Sequence, residues 1–169
     1  MLSVEALRRI LHLVPHPVEG GYFAETYRCP DLIPAAALPA HYGTPRAAST
    51  AIYYLLTPDT FSAMHRLASD EIFHFYLGDP VEMLHLHPDG THQVLVVGPD
   101  LEAGQRPQVV VPRHLWQGAR LLPGGRHRYA LLGTTVAPGF DYTDYETARR
   151  ATLLTTHPTA KALILALTR

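Results

Sequence analysis

The sequence predicts an all-β fold, a sandwich or barrel of short strands with helices only at its two ends. Three observations carry this. Short runs rich in Val, Ile, Thr, Tyr and Phe recur at close, even spacing, punctuated by Gly, Pro and Asp. Helical periodicity is confined to the first and last segments. No internal repeat is visible that would signal a solenoid or a propeller.

A helix is expected over 3–14. Val4, Leu7, Ile10, Leu11 and Val14 share one face, Ser3 is placed to cap it, and Pro15 and Pro17 stop it. Strands are expected near 21–28, 47–57, 62–67, 71–77, 81–87, 91–97, 108–112, 116–122 and 129–137. Pro88-Asp89-Gly90 and Pro123-Gly124-Gly125 are turns between them. The stretch 30–46 has no clear period and reads as a surface loop, a candidate lid or partner contact. The segments 144–150 and 158–167 look helical. One domain over 1–169 results, with a barrel at about 20–140 and a helical tail at 144–167.

Composition narrows the function classes. Of 169 residues, 47% are hydrophobic and 17% charged, ordinary values for a globular chain. A net charge of -1 gives no global pull toward nucleic acid or anionic lipid, so neither is expected as a partner. No apolar run approaches the length of a membrane span. The single cysteine, Cys29, excludes an intramolecular disulfide, and the interrupted apolar pattern of the first residues argues against a secretory signal. A cytoplasmic location is the expectation.

The chemistry is concentrated in 61–80, FSAMHRLASDEIFHFYLGDP. His65, Asp70, Glu71, His74 and Tyr76 lie there on two strand-like runs, where titratable groups are costly to bury unless paired. Alternation puts Glu71, Phe73 and Phe75 on one face and Ile72, His74 and Tyr76 on the other.

His65-x-Leu67, three residues, Glu71, six residues and Gly78 resemble the first motif of the cupins, and PRHLWQ (Pro112–Gln117) sits where their second motif would be. More specifically the chain is similar to the DUF985 (cupin type 5) family through PHPVEGGYFAETYR, STAIYYLL, SDEIFHFYLGDP, VVPRHLWQGAR and TVAPGFDYTDYE, in that order. The resemblance implies a double-stranded β-helix, the cupin jelly-roll barrel, commonly paired as a homodimer and related to sugar-nucleotide epimerases. In metal-binding cupins two histidines and a glutamate of the first motif and a histidine of the second hold the ion. Here those positions read His65, Leu67, Glu71 and Gln117. Leucine donates nothing and an amide oxygen is a poor ligand for such ions, so no metal and no other cofactor is expected.

The expected site is therefore metal-free and holds a small polar ligand, sugar- or nucleotide-like. His65 is the candidate general base, Glu71 or Asp70 its orienting partner, and Tyr76 or Tyr129 the acid, as in an isomerase, epimerase or lyase. His74, Gln117, Trp116, Tyr129 and Phe140 are candidate ligand contacts. The same inventory suits a binding or sensing domain without chemistry, and a metal-dependent cupin with an unusual ligand set is the third reading. The histidines of HLHPDGTH (His85, His87 and His92) have attractive metal spacing, but a solvent-facing hairpin is the favoured reading. Arg126-His127-Arg128 is a short basic cluster that could meet a phosphate, or a solvated loop. Gly20-Gly21, beside Glu19 and Tyr22, signals a strand entry or a close backbone approach.

Overall fold

The computed structural model describes residues 2–169. Helix α1 (Val4–Ile10) opens the described chain; the Ser3 hydroxyl accepts the Ala6 N–H at 3.1 Å and closes its N-terminus. It is shorter than expected. The backbone turns at His12, which has a positive φ, and Val14–Pro15 then pairs as β1 with Tyr22 and Phe23. Thirteen strands and two C-terminal helices follow in chain order: β1 (Val14–Pro15), β2 (Tyr22–Arg28), β3 (Leu32–Ile33), β4 (Arg46–Ala47), β5 (Thr50–Leu56), β6 (Phe61–Arg66), β7 (Asp70–Gly78), β8 (Val81–Leu86), β9 (His92–Val97), β10 (Gln108–Val111), β11 (Trp116–Leu121), β12 (Ala130–Ala137), β13 (Glu146–Thr147), α2 (Arg150–Thr156) and α3 (Lys161–Ala166).

Two antiparallel sheets face each other as a jelly-roll sandwich. One has the order β1-β2-β5-β12-β7-β10 and the other β13-β6-β11-β8-β9; β3 and β4 form a separate ribbon. Alternate side chains of both sheets meet in the core, where Tyr54, Leu56, Phe73, Met83, Ala119 and Leu132 are almost fully buried. The outer face of the five-stranded sheet is covered by the tail: Met64, Leu84 and Leu86 pack against Leu153, Ile164 and Leu167. On the six-stranded sheet α1 covers Leu55, Tyr129 and Leu131 through Leu7 and Leu13.

Three expectations change. Within the expected helix 144–150, residues 145–149 are not helical: Glu146 and Thr147 pair with Arg66 and His65, which satisfies the free edge of β6, and the helix begins at Arg150. The stretch 30–46 lies at the surface as expected, but it is anchored at its end and is not a free loop. Arg46 is 2% exposed, and all three of its guanidinium nitrogens donate, to both Asp144 carboxylate oxygens (2.8 and 2.6 Å) and to the Tyr42, Thr44 and Pro45 carbonyls among others. The HLHPDGTH hairpin does not simply face solvent. His85 is buried inside the sandwich against Met83, and the His87 carbonyl accepts the His157 Nε2–H at 2.8 Å, docking the hairpin on the helical tail.

Candidate functional site

At one end of the sandwich the sheets part around a cavity of about 290 Å³, walled by β2, β5, β6, β7, β12 and the segment that follows β12. Glu71 and His65 enter it from neighbouring parts of opposite sheets. Inward alternation on β7 buries Glu71 with Phe73, as expected. His65 is 1% exposed; its Nδ1–H donates to the Ala63 carbonyl at 2.7 Å, which fixes the tautomer because a carbonyl can only accept. Nε2 is left as an acceptor, and the Gln117 Nε2–H group donates to it at 2.8 Å while also donating to Glu71 Oε2 at 3.2 Å. The amide thus links base and acid. Its own oxygen is shielded and without a partner.

A second carboxylate completes the floor. Glu19 Oε2 lies 3.9 Å from His65 Nε2 and 4.0 Å from His16 Nε2, and its other oxygen accepts the Ser62 hydroxyl. Gly20 makes this possible. Its φ of 109° and the Phe61 carbonyl, 2.4 Å from where a Cβ would stand, admit only glycine as the backbone passes under β6. His16 is held in the tautomer opposite to that of His65: its Nδ1 accepts the Glu19 N–H at 2.9 Å, so Nε2 carries the proton and presents it to Glu19. Burial lowers the His16 pKa and keeps the ring neutral. Burial, and then the Glu19 charge, push the Glu71 carboxyl up to about 8. Two carboxyl groups in one desolvated floor do not both ionise freely.

The roof is aromatic. The Tyr145 ring stacks on His65 with centroids 4.8 Å apart and planes 17° from parallel, and its hydroxyl is shielded without a hydrogen-bond partner. Burial and then Glu19 raise the Tyr145 pKa further above its ordinary value. Phe140 and Tyr142 form an edge-to-face pair at 5.0 Å beside it. The Phe140 N–H donates to Thr50 Oγ1 at 2.9 Å, and Asp141 caps the turn through the Thr143 N–H.

Of the residues singled out in the sequence, the structure brings together His65, Glu71 and Gln117, and places Phe140 in the wall. It does not bring in the others. Tyr76 is half exposed on the outer face of β7, lying over Gly133. His74 shares that face and bonds Thr135 at 3.1 Å. Tyr129 is buried beneath α1, and Trp116 points out of β11 toward the helical tail under the Arg66 guanidinium. Strand alternation accounts for Tyr76, His74 and Trp116. Asp70 accepts the Arg113 N–H rather than orienting His65. The backbone N–H groups of Arg126, His127 and Arg128 all donate to Asp79, so that loop shares no group with the cavity. Glu19, His16 and Tyr145 are absent from the expected site residues; the signals at hand were the Gly20-Gly21 pair and the family-like stretches PHPVEGGYFAETYR and TVAPGFDYTDYE that contain them.

The cupin positions do not fit a metal. Leu67 lines the cavity with carbon only, and the Gln117 amide nitrogen stands between His65 and Glu71, tying donors to each other. His16 cannot substitute, since backbone N–H donation to Nδ1 places the proton on Nε2. Among the described residues no group of three His, Cys, Asp or Glu is arranged to hold an ion.

Comparison with known proteins gives the relationship. Residues 5–148 match the family model described as "Cupin superfamily (DUF985)". The chain belongs to this family. This cupin is 33% identical over 150 residues to an uncharacterized protein of Saccharomyces cerevisiae, covering 85% of this chain and 74% of that one. It is also similar to a solved hypothetical protein from Leishmania major (32% identity, TM-score 0.87, 99% of both chains). A solved protein from Shewanella oneidensis is alike to a similar degree, with 32% identity, a TM-score of 0.85 and coverage of 100% of this cupin and 99% of that chain.

Proposed function

We propose that this cupin binds a small polar molecule in the cavity and moves a proton on it, the chemistry of an isomerase, epimerase or lyase. The observation that carries the reading is the buried chain Glu71–Gln117–His65 beside Glu19 and His16 in the floor of one cavity. A cavity of about 290 Å³ suits a compound of monosaccharide size rather than a nucleotide. Glu71 is the proton carrier in this reading. Its pKa of about 8 lies near neutrality, where a general acid or base works best. His65, whose Nε2 already accepts from Gln117, positions that amide. Glu71 takes a proton from the carbon beside a carbonyl and returns it. The His16 Nε2–H donates to the oxygen on which negative charge develops.

Deuterium exchange tests this. Incubation in D₂O with small hydroxy-carbonyl compounds should label one carbon of the true ligand, and Glu71→Gln should slow the labelling by about a hundredfold or more. Saturable thermal stabilisation by a ligand with no exchange in any compound would leave a binding domain without chemistry.

A further inference from the structure

The charges around the cavity are lopsided. Four carboxyl side chains line it, Glu19, Glu25, Asp141 and Glu71, the last holding its proton near neutrality with a pKa of about 8, against one guanidinium, Arg28. Arg28 is half exposed and already paired. It grips both Glu25 oxygens at 3.0 and 2.7 Å and gives a further N–H to the Phe140 carbonyl at 3.2 Å. Arg169 stands behind the floor and donates to the carbonyls of Val18 and Glu19 rather than to the Glu19 carboxylate. His16 is neutral for the reason given above. The Glu19 carboxylate therefore faces the cavity with the Ser62 hydroxyl bonded to one oxygen and only the His16 and His65 rings, at 4.0 and 3.9 Å, beside the other.

The remaining walls favour the same sign of ligand. Phe23, Phe140, Tyr142 and Tyr145 line the volume, and ring faces attract cations. An anion would meet the Glu19 carboxylate here and no cation that is not already paired.

We infer that the cavity selects a ligand bearing a protonated amine and rejects carboxylates and phosphate esters. This rests on the reading of the cavity as a small-molecule site and names its substrate class. The ammonium group sits against Glu19 with an aromatic face beside it, leaving the rest of the ligand toward Glu71.

Three probes of one shape test it: cyclohexylamine, cyclohexanol and cyclohexanecarboxylate, titrated into the full chain by calorimetry, with amide shifts of Glu19 and Tyr145 locating the binding. The amine should bind about tenfold or more tightly than the alcohol, with no detectable binding of the carboxylate. Added salt should weaken the amine alone. Glu19→Gln should erase the preference for the amine while leaving the alcohol within about twofold; Ile52→Ala, a neutral change in the wall, should preserve the ranking. Equal binding of amine and alcohol, tighter binding of the carboxylate, or no amine binding at the cavity overturns the inference. None of these outcomes touches the proton-transfer reading, which the exchange experiment decides on its own.

Discussion

Glu71 shows what a single buried acid does to the whole protein. Its carboxyl is 7% exposed, and its pKa lies near 8 because burial and the nearby Glu19 disfavour its charge. An unfolded glutamate titrates near ~4.3. The folded state therefore holds this proton more tightly than the unfolded state does. Glu71 leaves the protein unpenalised below about pH 4.5 and costs it stability as pH rises from there to about 8. Glu71→Gln, which keeps the shape and removes the titration, should flatten the alkaline fall in thermal midpoint. At pH 9 the variant should melt above the parent; an unchanged slope would show that Glu71 ionises freely. Gln117 belongs to the same account, since its amide donates to the acid at 3.2 Å.

The segment that roofs the cavity is held at the scale of elements, through Arg46. The guanidinium on β4 grips Asp144 beneath the roof, and the Gly139 N–H donates to the Ala47 carbonyl at 2.7 Å. Arg46→Ala leaves Asp144 charged in a buried place and should destabilise by about 3–5 kcal/mol. Arg46→Lys should recover only part of that, because an ammonium cannot reproduce the fork. Denaturant unfolding measures both, and a loss under ~1 kcal/mol for the alanine variant would mean that the pair is solvated. The nine strands from β2 through β12, excepting β3 and β4, were legible in the sequence because runs rich in β-branched and aromatic residues are set off by Gly, Pro and Asp turns. β1, β3, β4 and β13 were not, since two residues carry no period. Tyr145 was lost with β13: a strand made only by pairing with β6 looks locally like the start of the following helix. Glu19 and His16 have no local pattern either. They become site residues only because the glycine pair sends the backbone beneath Phe61, a contact 41 positions away from Gly20.

Across the whole molecule the titrations compete. His85 is buried within the sandwich, and burial, followed by His87, lowers its pKa to about 4. Its contribution is intact above ~6.5 and is lost as pH falls toward 4. Each group alone changes stability by up to about 1.4 kcal/mol per pH unit in its own window. Between pH 4.5 and 6.5 the two slopes oppose and cancel, so these groups produce a plateau there and a decline from 6.5 to 8. His85→Leu should unmask the opposing slope, making stability climb steadily as pH falls from 8 to 4.5; a plateau that survives this change would remove His85 from the account. Jelly-roll closure decides one thing more. Arg169 holds the carbonyls of Val18 and Glu19, so the far end of the chain is fastened to the segment that carries the cavity floor. Removing the Arg169 guanidinium would free both carbonyls and slacken the stretch of backbone from which Glu19 projects, like a tuning peg released from a string it holds only at one end.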